Sequence, residues 1–264
     1  MSGPTLLTMA RGRTNVEMKN LWRNRQAFGF TIVFPVMMVL LFASIFTGRI
    51  EHTSVRISQV YVAGIIGSTL MSTGFVGLAI GIAAERESGM LKRLASTPMP
   101  KPVYFIGKIG MVVVTLALQV VLLLVLGIAF FHVTVPHDVG RWLRFAWVFV
   151  LGTTGSTLLG VAVGGLVKDV KAAPAVVNLP FVALQFISGV WLSVTLLPGW
   201  LINVAKVFPL FWICRGMRSV FLPDDFKTVE PGGAWQYGTM ALVLGLWCVV
   251  GFVLCVRTFR WTRD

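Results

Sequence analysis

The segment 85–108 holds the longest run of charged side chains between two apolar runs of this sequence. It opens with Glu85, Arg86 and Glu87, and Lys92 and Arg93 follow. In an α-helix, spacings of i, i+3, i+4 and i+7 place four residues on one face: Glu87, Met90, Leu91 and Leu94. The segment then continues into extended backbone enforced by prolines 98, 100 and 102. The pattern favours a short amphipathic docking helix over the alternative, a solvated loop.

Side chains suited to catalysis or metal binding are scarce. His132, His137 and Asp138 share a loop, but their spacing is not a recognised ligand pattern, so a solvated turn is favoured. Cys214 and two further cysteines fit neither a disulfide framework nor a zinc motif. The phosphate-binding pattern Gly-x-x-x-x-Gly-Lys-Ser/Thr is absent. We therefore expect no enzymatic activity, no metal and no cofactor in this chain.

The composition indicates the class of protein. The 264 residues are 56% hydrophobic and only 12% charged, with a mean hydropathy of +0.82, whereas a soluble domain is about one-quarter charged. Charge-free runs of roughly 20 residues, the length that crosses a bilayer as a helix, occur at 28–48, 60–83, 109–131, 145–167, 173–193 and 238–256. We predict an all-α polytopic membrane protein with six transmembrane helices in a single domain, 1–264.

The basic residues are distributed unevenly along the chain. The net charge is +13, and 15 of the 23 Lys and Arg lie at 1–27, 84–108, 168–172 and 257–264, against 8 in the alternate loops. An excess of Lys and Arg on alternate loops is typical of cytoplasmic loops. Both termini are therefore predicted to be cytoplasmic. The positive charge is attributed to topology and anionic headgroups rather than to nucleic acid.

Two segments flanking the spans have distinctive compositions. Residues 5–27 mix Val16 and Trp22 with basic residues, which fits either an N-terminal interfacial helix or an ordinary basic flank. Residues 194–213 are apolar but broken by prolines, which predicts short re-entrant helices in the outer leaflet. Arg215 and Arg218 would then mark the outer headgroup level.

Small and polar residues within the spans suggest packing and a pathway. Gly77 with Gly81, and Gly160 with Gly164, form Gly-x-x-x-Gly pairs that permit close helix approach. Asn178 and Gln185, in a span that also contains prolines, favour a helix that faces protein or a water-filled path. No Asp, Glu, Lys, Arg or His lies within the six runs, which disfavours a carrier driven by an ion gradient.

Three blocks of this sequence resemble the ABC-2-type ABC transporter permeases, the membrane subunits of bacterial drug, lipid and polysaccharide exporters. The first runs from Glu85-Arg86-Glu87-Ser88-Gly89-Met90-Leu91 to Gly107-Lys108; the second is Leu21-Trp22-Arg23-Asn24-Arg25 before Phe34-Pro35; the third is Phe186-Ile187-Ser188-Gly189-Val190 through Pro209 to Arg215. Met90 stands where the family more often has Thr, and Leu192-Ser193 replaces a commoner Phe-Pro. The resemblance covers nearly the whole chain.

The resemblance implies a permease dimer, homomeric or heteromeric, above two separate nucleotide-binding subunits that carry ATP and Mg. Residues 86–96 would be the cytoplasmic coupling helix, and the N-terminal interfacial helix a second contact. Glu85, Arg86 and Glu87 would be polar anchors, with Met90, Leu91 and Leu94 as the docking face. An apolar lining with amides favours an amphipathic or lipidic cargo, as in multidrug resistance, exported across the bacterial cell membrane. Two alternatives are an ion-coupled carrier or channel, and a non-transporting membrane anchor subunit.

Overall fold

The computed structural model describes residues 5–50, 53–97, 99–167, 169–192 and 194–259. Within these ranges the chain is all-helical, as predicted, and its one extended pairing is an isolated bridge between Arg49 and Arg56. A helix satisfies its own backbone hydrogen bonds, which an apolar surrounding requires. The helices are α1 (Leu6–Arg23), α2 (Arg25–Ile45), α3 (Ile57–Met71), α4 (Leu78–Glu87), α5 (Met90–Ala95), α6 (Lys101–Phe131), α7 (Val139–Leu166), α8 (Ala173–Ile187), α9 (Gly199–Ala205), α10 (Pro209–Phe221) and α11 (Tyr237–Thr258).

Among the described residues, five helical stretches are long and apolar enough to cross a bilayer: Arg25–Ile45, Ile57–Glu87, Pro102–Phe131, Val139–Leu166 and Tyr237–Thr258. They correspond to five of the six predicted runs, and each of them extends beyond its charge-free stretch at one or both ends. The second comprises α3, a π-helical segment Ser72–Gly77, and α4. Glu85, which follows the charge-free run, therefore lies in the final turn of this helical stretch and not in a connecting loop.

The fifth predicted span, 173–193, is shorter in the structure than we expected. Helix α8 has 15 residues, roughly 22 Å, against ~30 Å of hydrocarbon. It ends at Ile187, and Gly189 follows with φ +76, a left-handed conformation that glycine adopts without strain. Tyr61 Oη, near the start of α3, donates to the Trp191 carbonyl at 3.1 Å. The chain that follows α8 thus lies within two turns of the N-terminal end of α3.

Helices α9 and α10 occupy the segment for which re-entrant helices were predicted. Trp247, midway along α11, donates its indole N–H to the Val207 carbonyl at 2.8 Å. The Phe221 ring packs against Phe145, near the start of α7, with centroids 5.9 Å apart. Helix α10 therefore begins midway along the bundle and ends where α7 begins. Its depth in a bilayer stays a prediction.

Arg215 and Arg218 are buried in protein and do not face headgroups, and their level in the bilayer stays a prediction. Their exposed fractions are 0% and 1%. Arg218 Nε donates to Glu230 Oε1 at 2.5 Å, and Arg215 Nη2 donates to the Pro231 carbonyl at 2.9 Å. The loop that follows α10 folds back over these guanidinium groups and supplies a carboxylate and backbone carbonyls, so the two arginines are buried within protein.

One of the two glycine pairs mediates a close helix contact within the chain. A Cβ atom on Gly164 would lie 2.8 Å from the Ala79 carbonyl oxygen, and one on Gly160 would overlap the Gly74 carbonyl oxygen. A Cβ on Gly81 would meet no atom within 4 Å. Gly160 and Gly164 on α7 therefore pack against Gly74 and Ala79, and not against the Gly77–Gly81 pair.

The helix ends form two separate groups. At the first, which we name the basic end, Arg86 at the end of α4 donates to the Val167 carbonyl at 3.2 Å, and the rings of Phe105 and Phe259 lie 4.9 Å apart. At the opposite end, Gln59 donates to the His132 carbonyl at 2.8 Å. A small apolar cluster closes that end: Val55, Leu222, Phe226 and Trp235. The segments predicted to share a side of the membrane thus meet one another.

Candidate functional site

The charged segment is a bent structure rather than one helix. Helix α4 ends at Glu87, Gly89 adopts φ +70, and α5 runs from Met90 to Ala95. We name residues Glu85–Thr97 the elbow. The left-handed glycine breaks the helical register, so the predicted continuous helix over 86–96 does not form.

This break changes which face of the elbow is free. Leu91 is 1% exposed and belongs to the main apolar core, and Leu94 packs against that core. Met90 is half-buried, whereas Glu87, Lys92 and Arg93 are exposed. The expectation that Leu91 and Leu94 form an apolar face free of the rest of the chain is wrong, because the bend turns that face onto the membrane helices. The free face is polar.

The proline stretch is shorter than predicted. Pro100 precedes α6 with an extended backbone, ψ 132, and Pro102 lies in the first turn of α6, where a proline is tolerated because its missing N–H would have no helical partner. Pro98 lies outside the described residues. The link between the elbow and α6 is therefore a brief connection at Met99 and Pro100.

Two of the predicted anchors hold the elbow to its own chain. Tyr104 Oη donates to Glu85 Oε2 at 2.8 Å, and Lys108 Nζ binds Glu85 Oε1. Arg86 donates to the carbonyl that ends α7. Glu85 and Arg86 thus fasten α4 to α6 and α7, and Glu87 is the anchor that remains exposed.

Helix α1 is held against the bundle by the same lysine that binds Glu85. Lys108 Nζ also binds Glu17 Oε2, at 2.7 Å, and Glu17 Oε1 pairs with Arg13 Nη2 on the preceding turn of α1. Glu17 and Lys108 are 2% and 4% exposed. We name Arg13, Glu17, Glu85, Tyr104 and Lys108 the charge network. It places α1 against the bundle through polar groups, whereas sequence reasoning assigned Arg13 to headgroups.

The sequence contained a signal for this network that we did not use. Glu17 is the single acidic residue among five basic ones in residues 1–27. It lies four residues after Arg13, a spacing that brings opposite charges together on a helix. Its second partner, Lys108, is distant in sequence and was counted as part of a basic loop.

The two predicted pathway amides lie in different surroundings. Gln185 is 6% exposed and accepts a hydrogen bond from Trp191 Nε1 at 3.2 Å. It lines a crevice between α2, α3 and α8, with the following side chains: Phe34, Pro35, Met38, Ile65, Ser68, Thr69, Ser72 and Trp191. Asn178 donates to the Pro174 carbonyl of its own helix at 2.9 Å. Gln185 therefore lines this crevice, whereas the amide of Asn178 is engaged within α8.

Comparison with known proteins identifies the family. A sequence model of the ABC-2 type transporter family matches residues 14–222. The inner membrane transport permease YadH of Escherichia coli is 24% identical over 249 residues, which cover 89% of this chain and 94% of that protein. The putative transport permease ycf38 of Porphyra purpurea is 25% identical over 228 residues, 84% and 77% of the two chains. The putative transport permease YvfS of Bacillus subtilis is 19% identical over 208 residues, 76% and 80%. With five apolar helices of spanning length and a family match over most of its sequence, the chain belongs to the ABC-2 type transporter family and is a multi-pass transporter membrane subunit.

Proposed function

We propose that this chain is the permease subunit of an ATP-driven exporter in a bacterial cell membrane. Two permease chains would form the pathway, and a separate ATPase subunit would bind ATP and Mg and hydrolyse ATP. The basic end would face the cytoplasm, because Lys and Arg favour that side. Family membership and relatives named as transport permeases support this assignment.

The elbow is the observation that carries the proposal. Its inward side is anchored by Leu91 in the core and by Glu85 in the charge network. Its outward side presents Glu87, Lys92 and Arg93. A partner that pushes on this polar side would move α4 and α6 directly, because the elbow is anchored to both. We therefore place the ATPase contact on the polar face, in place of the apolar face inferred from periodicity.

We further propose an amphipathic or lipidic cargo that enters beside Gln185, where the crevice has a volume of about 20 Å³, room for about one water molecule, and would have to widen to admit it. Aromatic and aliphatic side chains make up most of its lining, and the hydroxyls of Ser68, Thr69 and Ser72 add a polar strip. Binding sites for small molecules combine apolar walls with a few polar groups in this manner. The crevice lies between α2 and α8, so cargo would enter from the side of the bundle.

The short length of α8 supports the proposal that a second permease chain packs against this one. Leu192, 42% exposed, lies where the chain has left the helical conformation after Ile187, and Leu196 and Trp200, in the short 3₁₀ and α9 helices that follow, are 75% and 67% exposed. Backbone outside regular structure is tolerated at membrane depth only where protein or a water-filled cavity covers it. A second permease chain, identical or homologous, would supply that cover.

Purification of the full chain from native membranes tests the proposal. We expect an ATPase bearing the phosphate-binding motif to co-purify, and ATP hydrolysis by the complex to fall at least about tenfold when Lys92 and Arg93 are both changed to Glu, because rim charges of the wrong sign repel a partner. Transport driven by an ion gradient in the absence of such an ATPase would contradict the proposal.

A further inference from the structure

Helix α1 approaches α6 closely enough to bring the two backbones together. A Cβ atom on Gly110 would lie 2.5 Å from Thr14 Oγ1, and one on Gly107 would overlap Arg13 Cγ. Glycine at both positions therefore permits a contact that no other residue type would allow without a shift. Ala10, Arg13 and Glu17 form the buried stripe of α1 that faces this contact.

The charges across this contact are balanced and each carboxylate oxygen has a donor. Glu17 binds Arg13 through Oε1 and Lys108 through Oε2 at 2.7 Å. Glu85 binds Lys108 through Oε1 and accepts from Tyr104 Oη through Oε2 at 2.8 Å. The guanidinium carbon of Arg13 also lies 5.5 Å from the centre of the Tyr104 ring. Two positive and two negative charges thus neutralise one another in a buried place.

Lys108 forms the direct ionic link between α1 and the elbow, beside the less direct contact of Arg13 with the Tyr104 ring. Among the described residues it is the cation that pairs with a carboxylate of α1 and with a carboxylate of the elbow. Removal of its charge would leave Glu17 with Arg13 alone and Glu85 with a phenol, both in surroundings of low dielectric constant where an unpaired charge is unfavourable. The ammonium group of Lys108 therefore stabilises the arrangement of α1 relative to the elbow.

We propose that Lys108 is a positioning residue that holds α1 and the elbow in one fixed arrangement, so that they form a single composite surface for the partner ATPase. This inference rests on the proposed function for its consequence, but the link between α1 and the elbow is testable without any partner. A disturbance introduced on α1 will reach the elbow through Lys108, although the two are distant in sequence.

Hydrogen–deuterium exchange of the full chain in lipid nanodiscs tests the link. In Lys108→Met we expect the amides of both α1 and α5 to exchange at least about tenfold faster, with those of α7 and α11 unchanged. Lys108→Arg keeps the charge and will restore slow exchange. Lys92→Met, an exposed lysine of the same elbow, is the matched control and will leave exchange as in the unmodified chain.

Glu17→Gln is a second variant. It removes the carboxylate charge through which α1 pairs with Lys108, and it keeps Lys108 itself. We expect faster exchange in α1 and also in α5. Loosening of α1 alone, or no change in either element for Glu17→Gln and Lys108→Met, would overturn the proposal. If exchange behaves as expected but ATP hydrolysis by the co-purified complex is unaffected by Lys108→Met, the composite surface is wrong. If no ATPase co-purifies at all, the proposed function fails while the exchange result still decides the link.

Discussion

The conformation of Gly89 decides whether Leu91 is buried against the membrane helices or free to bind a partner. Helical periodicity correctly groups Leu91 with Leu94, but it does not say what covers the face they share. Gly89, with φ +70, turns α5 so that this face meets the membrane helices and Leu91 becomes 1% exposed. The sequence predicted an apolar face; only the structure shows that the same chain covers it.

We expect Leu91→Ala to destabilise the fold itself. Truncation of a buried leucine costs about 2–5 kcal/mol, so the melting temperature of the purified full chain in detergent will fall. Lys92→Ala, one residue further and exposed, will change the stability by less than ~0.5 kcal/mol. An unchanged melting temperature for Leu91→Ala, together with loss of ATPase binding, would contradict our account and restore the apolar docking face.

Asp225 gives a prediction for the opposite end of the bundle. The backbone N–H and the hydroxyl of Ser54 donate to Asp225 Oδ2 at 2.8 and 2.7 Å. These hydrogen bonds hold the pKa of the Asp225 carboxyl below its ordinary value of 3.8. The contact between the loops that contain Ser54 and Asp225 is therefore fully present above pH 3.8 and is lost as the pH falls through the lowered pKa.

Hydrogen exchange corrected for its intrinsic pH dependence measures this effect. Protection of residues 53–56 and 224–228 should stay constant above pH 3.8 and decrease as the pH falls below it. Asp225→Asn keeps an oxygen acceptor but does not titrate, so its protection should not vary with pH. A pH dependence as large in Asp225→Asn as in the unmodified chain would show that another group is responsible.

The charge network could not be predicted from hydropathy, because hydropathy treats each residue by itself. Glu85 and Lys108 each border a charge-free run, so hydropathy placed both in the segment between two spans and gave no reason to pair them. The α4 and α6 helices extend past those runs and bring the two side chains together. Arg218 and Glu230 were missed for the same reason: hydropathy treats a charge as exposed, whereas a paired and hydrogen-bonded charge can be buried.

At the scale of elements, the glycine pattern predicts close packing but not the partner. Gly160 and Gly164 pack on Gly74 and Ala79, next to the π-helical segment, which widens the helix locally. The Gly-x-x-x-Gly spacing selects Gly77 and Gly81, although a Cβ on Gly81 would meet no atom within 4 Å and one on Gly77 would lie 3.7 Å from the Ser72 carbonyl oxygen of its own segment.

Substitution by alanine separates the two glycine pairs. A Cβ on Gly160 would overlap the Gly74 carbonyl oxygen and lie 2.8 Å from that of Phe75, and backbone atoms cannot move aside cheaply. We expect Gly160→Ala to destabilise the full chain by about 1–3 kcal/mol, the range for overpacked sites, measured as a fall in melting temperature. Gly81→Ala, with open space around it, is the matched control. Equal losses in the two variants would contradict this packing.

The length of α8 was overestimated because hydropathy reports apolar composition and not helical conformation. Residues 188–192 remain apolar after the helix has ended at Ile187. Ser188 and Gly189 gave the signal, since glycine past the last helical residue is typical of a helix end. A count of charge-free runs therefore predicted six spans where five helices reach spanning length.

At the scale of the whole molecule, the alternation of charge predicted which segments share a side. The four basic segments contain α1, the elbow, the residues just after α7 and the end of α11. Contacts such as Glu17–Lys108 and Arg86–Val167 join α1, the elbow and the end of α7 at one end of the bundle. This part of the architecture was predictable because it depends on composition and span length. The contacts themselves were not, since they join residues far apart in sequence.

Site-specific photo-crosslinking in the intact complex tests the central claim most directly. A photoreactive amino acid at Arg93, exposed on the elbow, should crosslink to an ATP-hydrolysing subunit, and one at Thr228, exposed at the opposite end, should not. Crosslinking from Thr228 and none from Arg93 would contradict both the proposed orientation of the chain and the assignment of the elbow as the contact through which ATP hydrolysis drives transport.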